Sequence, residues 1–154
     1  MSKTKELFSL LKKEKKTVAL CESVTAGLVS YLLTRFSGAS QIFKLGTAAY
    51  SLEAKNKLFG IPQKKLKETQ GVSEGIARIL AEKIRKLINS DIGASIVGFA
   101  GPKAKRGMKG VIFVGFSDKN KTVVKKIKLK GERNTIRKKA ALLLIEFILE
   151  NLKQ

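Results

Sequence analysis

No histidine occurs anywhere in the 154 residues. That absence removes every triad built on an imidazole base, every His-ligated zinc site and the commonest general base near neutral pH. The single cysteine, Cys21, rules out an intrachain disulfide and a cysteine zinc cluster. A hydrolase of this composition must take its base from a lysine, a carboxylate or a tyrosine, and serine–lysine chemistry passes that filter. No cofactor or metal is expected. Long apolar runs are also missing: nothing approaches the ~20 uninterrupted residues of a membrane span. The most apolar stretch, Ala140 to Leu149, is short and carries Glu146, so it reads as a core helix. Met1 to Lys16 is lysine-rich without an apolar secretory core. The expectation is a soluble cytoplasmic protein, one domain by length, with no membrane partner.

Acids are scarce. Lys and Arg number 32 against 12 Asp and Glu, a net charge of +20. Such an excess attracts anions at long range and favours loose nucleic-acid binding at low salt. Only six of the cations are arginines, and base readout relies on arginine forks, so sequence-specific DNA recognition is not expected. The stretch Lys119 to Lys139 holds ten basic residues and one acid without the interleaved aromatics that stack bases. Any nucleic-acid partner is expected to be held non-specifically. Solvated lysines spread by coding bias would give the same composition.

Apolar spacing predicts an opening amphipathic helix over Lys3 to Lys13, with Leu7, Leu10 and Leu11 inward. A buried strand is expected at Thr17 to Cys21, broken by Glu22-Ser23, then a helix from about Thr25 to Phe36 capped by Thr25 or Ser23. Phe43 to Tyr50 reads as a second strand, and Ser51 caps a short helix ending near Gly60-Ile61-Pro62. Ser73 caps a helix whose stripe is Ile76, Leu80, Ile84 and Leu87. Ile92 to Gly98 is a third strand. A hairpin follows over Val111 to Phe116 and Thr122 to Leu129, its lysine-bearing second arm suited to a sheet edge. The last helix begins near Asn134. Strands interleaved with helices predict a three-layer α/β/α sandwich with a mixed sheet.

Ser23 falls where a strand hands over to a helix, a junction whose free N–H groups can hold an oxyanion or a phosphate. A serine in that place is an N-cap far more often than a nucleophile. Tyr50 lies at a strand end. Lys55 stands one helical turn beyond the cap at Ser51, and helical side chains lean towards the N-terminus, so it can reach the strand end. Most lysines of so basic a chain are nonetheless solvated.

Several motifs decide between these readings. Glu22-Ser23-Val24-Thr25-Ala26-Gly27 is similar to the Glu-Ser-Cys-Thr-Gly-Gly signature of the CinA C-terminal family. Tyr50-Ser51, Glu53-Ala54-Lys55, Gly71-Val72-Ser73-Glu74 and Gly98-Phe99-Ala100-Gly101-Pro102 follow in the family's order, so the resemblance runs from Thr17 into the last helix. It implies the metal-free deamidation of nicotinamide mononucleotide to nicotinate mononucleotide and ammonia. By position, Ser23 would be the nucleophile, Lys55 its general base and Tyr50 a hydroxyl that orients or relays. Glu22, Thr25, Ala26, Gly27, Gly98, Gly101, Pro102 and Arg133 would surround the nucleotide substrate. The resemblance also implies a homo-oligomer and, because the large N-terminal domain of some members is missing, the stand-alone form. Ala26 and Val24 depart from the family's glycine and cysteine, and Leu52 from its frequent asparagine. The loop Lys103 to Gly110 is more basic than usual and lacks the double glycine. Other anionic amides, or an inactive nucleic-acid-binding member, remain alternatives.

Overall fold

A computed structural model describes residues 1–154. In chain order the elements are α1 (Lys3–Glu14), β1 (Val18–Glu22), α2 (Leu28–Thr34), a 3-10 turn (Ala39–Gln41), β2 (Phe43–Ala48), α3 (Leu52–Phe59), α4 (Gln63–Thr69), α5 (Glu74–Ile88), β3 (Ile92–Gly98), β4 (Val111–Ser117), β5 (Thr122–Lys128) and α6 (Arg133–Leu152). One five-stranded sheet runs in the order β2-β1-β3-β4-β5. β1 is parallel to both β2 and β3, while β4 pairs antiparallel with β3 and β5. The sheet is therefore mixed, as the hairpin in the sequence requires.

Alternation along the strands feeds two cores. Val18, Leu20, Ala94, Ile96, Ile112, Val114 and Phe116 face a cluster built with α1, α2 and α6. Ala19, Cys21 and Val97 face a smaller cluster with Phe59, Leu66, Ile76, Leu80 and Ile84 of α3, α4 and α5. Three layers result. The interior strand β1 is buried along its whole length, whereas edge strand β2 alternates between half-buried and exposed, as expected for strands inside and at the rim of a sheet. α5 lies unusually close to the sheet. A β-carbon on Gly93 would sit 2.2 Å from the Ala81 carbonyl oxygen, and one on Gly115 2.7 Å from that of Ala77. Only glycine permits so close a backbone approach. The Ser95 hydroxyl donates to the Ala77 oxygen across 2.6 Å in the same contact.

Ser51 and Ser73 cap α3 and α5 as expected, accepting from the N–H groups of Ala54 and Ile76. Four expectations change. The second helix starts at Leu28, not Thr25, because Ala26 and Gly27 take left-handed backbone conformations. The second strand stops at Ala48, and the chain then turns towards α3. α4 adds a helix where none is expected, because Gln63–Thr69 has a single buried apolar residue, Leu66. Leu87 is 63% exposed, lying in the last turn of α5 beyond the buried stripe. No helix is long and apolar enough to cross a membrane.

At the carboxyl ends of the three parallel strands, Glu22 lies beside Ala48 of β2 and Ile96 of β3. In α/β sheets that carboxyl edge is where ligands bind.

Candidate active site

Ser23 immediately follows β1, and its N–H is held by the Ile96 carbonyl of β3 at 3.1 Å. Across the strand ends, Lys55 leans back from the first turn of α3, as its place in the helix requires. Its Nζ lies 3.0 Å from the Ser23 Oγ, 2.8 Å from the Ala49 carbonyl oxygen and 3.2 Å from that of Tyr50. Lys55 is 2% exposed and has no acid within ion-pair distance. Burial therefore lowers its pKa below the ordinary 10.5. The neighbouring Cys21 thiol provides no counter-ion near neutral pH, since its own burial pushes its pKa up to about 12.

The geometry suits a neutral amine. Two carbonyls accept its two N–H bonds, which leaves the lone pair for the Ser23 hydroxyl proton. When Lys55 is protonated, the third N–H donates to Oγ instead. Stability inherits this titration with a definite sign. A lowered pKa means that the unfolded chain binds more protons between the folded and unfolded values, so stability rises with pH through that interval. The stabilising contribution is complete above the unfolded value and is lost as pH falls through the folded one. Denaturation midpoints of wild type should climb across this alkaline window relative to Lys55→Met. Parallel curves for the two proteins would show that Lys55 titrates normally.

Glu22 is wholly buried and faces away from Lys55, towards the start of α2. Its Oε1 accepts from the Thr25 hydroxyl (2.6 Å) and the Val29 N–H (2.9 Å). Its Oε2 accepts from the Ser30 N–H (2.9 Å) and hydroxyl (2.7 Å). The protein's own carboxylate thus occupies the N-terminus of α2. This corrects the expectation that a helix opens at Thr25 with its N-terminal donors free for a substrate phosphate: the Thr25 hydroxyl and the Val29 and Ser30 N–H groups already serve Glu22. Ala26 takes φ 47°, a conformation in which a β-carbon costs roughly 1–2 kcal/mol, and glycine stands at this place in the family signature. The Val24 and Thr25 N–H groups next to Ser23 make no hydrogen bond within the protein.

A cleft of about 690 Å³ opens over the pair. Ser23, Tyr50 and Lys55 all line it, as do Gly98, Gly101, Pro102 and Arg133. Glu22, Thr25, Ala26 and Gly27 do not. The Tyr50 ring is exposed at the rim, and its hydroxyl accepts from Arg133 Nη2 at 3.0 Å, so Lys55 meets Tyr50 through the backbone carbonyl instead of the phenol. Arg133 also donates to the Gly101 carbonyl at 2.6 Å, tying the two cleft walls together. Sequence reasoning missed Arg137, whose Nε donates to the Val24 carbonyl at 3.0 Å. Its place one turn after Arg133 on the same helix was the available signal. Gln70 and Val72 are further lining residues that sequence reasoning did not single out for the site. The cleft carries three basic side chains (Lys55, Lys103, Arg133) and no carboxylate.

A family model of the CinA C-terminal domain matches residues 1–152. The chain belongs to that family. As a CinA C-terminal domain it is 40% identical over 144 residues to a putative competence-damage inducible protein of Thermoanaerobacter pseudethanolicus, covering 92% of this chain and 35% of that one. It is 39% identical over 142 residues to a CinA-like protein of Kosmotoga olearia, covering 91% and 34% respectively. The CinA domain therefore spans about a third of the length of these curated relatives. Among solved structures, a competence or damage-inducible protein from Enterobacter asburiae superposes with a TM-score of 0.91 at 26% identity, covering 97% of this chain and 96% of that one. A CinA superfamily protein from Klebsiella pneumoniae gives 0.92 at 20% identity, with 98% and 96% covered. The three-layer fold is common to these solved structures.

Proposed function

We propose that this domain is a metal-independent amidohydrolase that uses Ser23 as nucleophile and Lys55 as general base, with nicotinamide mononucleotide as substrate. The observation that carries the reading is a buried lysine with no counter-ion, 3.0 Å from a serine at the carboxyl edge of the sheet. A structural lysine with only two carbonyls and a hydroxyl for company would cost stability, because burying an ammonium without an anion is unfavourable. An amine kept neutral for proton transfer accounts for that cost.

In the proposed reaction the Ser23 oxygen attacks the carboxamide carbon as its proton passes to Lys55 Nζ. The developing oxyanion takes a hydrogen bond from the unpaired Val24 N–H on the cleft wall, a donor oriented before the reaction begins. Collapse breaks the C–N bond, the Lys55 ammonium returns its proton to the departing nitrogen, and ammonia leaves an ester on Ser23. Lys55 then takes a proton from water as that water attacks the ester, and finally returns it to Ser23. Nicotinate mononucleotide departs. Tyr50, held by Arg133, orients the substrate at the rim. Lys103 and Arg133 give the phosphate a wall free of carboxylates. Gly98, Gly101 and Pro102 shape the loop that leads into Lys103.

The purified protein is expected to release ammonia from nicotinamide mononucleotide in the presence of chelator. A coupled ammonia assay measures it. Activity lost to chelator and restored by zinc would overturn the metal-free mechanism. The choice of nucleotide rests on the family resemblance; a protein inactive on it but active on another anionic amide would keep the chemistry and change the substrate.

A further inference from the structure

The cleft uses few of the protein's cations. The strongest remaining feature is a basic surface on the outer edge of the sheet. β5 is the edge strand there, with Lys125, Lys126 and Lys128 exposed along it. The loop between β3 and β4 folds back beside this strand. Lys128 Nζ donates to the Gly107 carbonyl at 3.0 Å, and the Leu129 N–H donates to that of Gly110 at 2.7 Å. These bonds bring the exposed Lys105, Arg106 and Lys109 alongside β5. None of the six cations is paired with an acid, and Asp118 and Glu132 are the only acids between Lys103 and Lys139.

We infer that the β5 edge and the Lys105–Lys109 loop form a docking surface for the phosphate backbone of duplex nucleic acid. Three observations select that occupant. An acidic protein partner or a membrane would be anchored by exposed apolar side chains, yet every large exposed hydrophobic residue lies elsewhere (Met1, Tyr31, Tyr50, Leu52, Leu58, Leu87, Ile88 and Leu142). Stacking on single strands needs exposed aromatics, and the nearby rings, Phe113 beneath Lys126 and Phe99 on the cleft wall, are half-buried. The cations are also arrayed in a line. Lys126 and Lys128 share one face of the strand at a spacing of roughly 6.6 Å, and the loop extends the array. A linear, unpaired, apolar-free set of charges matches a linear polyanion and displaces its counter-ions on binding. The same loop carries Pro102, Lys103 and Ala104 on the cleft wall, so a bound duplex would lie beside the cleft mouth. The inference stands independently of the amidase reading.

The test uses the full chain, a fluorescent DNA duplex of mixed sequence and anisotropy across a salt series. Binding is expected at low salt, indifferent to sequence and weakening steeply as salt rises. Lys105→Glu/Lys126→Glu/Lys128→Glu should bind at least tenfold more weakly, with the salt slope shallower by roughly one unit for each phosphate left without its lysine. Lys64→Glu/Lys67→Glu/Lys86→Glu makes the same change of net charge on α4 and α5 and should bind within about twofold of wild type. Circular dichroism checks that both triples fold, and Lys126→Gln/Lys128→Gln replaces the first if it does not. Equal weakening in the two triples would overturn the inference, since net charge alone would then account for binding. So would the absence of binding to wild type at low salt, a preference for single strands, or tighter capture by anionic lipid vesicles.

Discussion

Ser23→Ala and Lys55→Ala are each expected to abolish ammonia release, by roughly four orders of magnitude or more, and the double variant to be no worse than either alone. Residues that act as one chemical unit are non-additive, because a base has nothing to activate once its nucleophile is gone. Lys55→Arg should fail as well. A guanidinium keeps its proton near neutral pH, and its planar fork does not fit a pocket built for one nitrogen between two carbonyls and a hydroxyl. Lys55→Met separates catalysis from folding, since it fills much of the same volume without the desolvated amine. It should remain folded and inactive. Lys126, outside the cleft, is the control, and Lys126→Ala should turn over normally. Wild-type activity should rise with pH as Lys55 loses its proton, with a midpoint below the ordinary lysine value because burial opposes the charge. Full turnover by a folded Lys55→Ala would remove lysine from the reaction.

Glu22→Ala is expected to produce the largest loss of stability among single changes near the site. The carboxylate accepts four hydrogen bonds in a fully buried position. Truncation strands the Val29 and Ser30 N–H groups and the Thr25 and Ser30 hydroxyls, at a cost of about 1–3 kcal/mol for each buried donor left unmet. Partial rescue by water brings the expected total to roughly 3–5 kcal/mol, the range for breaking a buried charged network. Glu22→Gln keeps the shape but supplies an amide donor where two donors already point, so it should recover only part of the loss. Denaturant unfolding of the three proteins measures it. A Glu22→Ala variant within about 1 kcal/mol of wild type would show that this network does not hold the start of α2. Because β1 runs directly into Ser23, both variants should also lower turnover.

The sequence carried the larger architecture plainly wherever burial imposed a period. The strand Ile92–Gly98 and the Ser73-capped helix were legible because one is almost continuously apolar and the other repeats its apolar residues at helical spacing. The reach of Lys55 towards Tyr50 followed from the cap at Ser51 and the backward lean of helical side chains. What escaped reading depends on interactions between distant residues. Nothing local in Glu22 distinguishes a substrate ligand from a carboxylate that caps the next helix; the hydroxyls at Thr25 and Ser30 give the clue only after the turn is built. A cap at Thr25 or Ser23 would put Ala26 and Gly27 inside the helix, whereas the chain takes left-handed backbone there. The Tyr50 phenol turns to Arg133, 83 positions away, and Arg137 reaches Val24 across 113. Such pairings are set by how α6 packs over the strand ends, which no spacing in the sequence encodes.

The central claim is that amide cleavage passes through an ester on Ser23, and hydroxylamine partitioning tests it most directly. Wild-type protein turning over nicotinamide mononucleotide with added hydroxylamine should form the hydroxamate in proportion to the nucleophile while ammonia release continues undiminished, and Ser23→Ala should form neither product. Ammonia release by wild type with no hydroxamate at any concentration, or turnover retained by folded Ser23→Ala, would contradict the account.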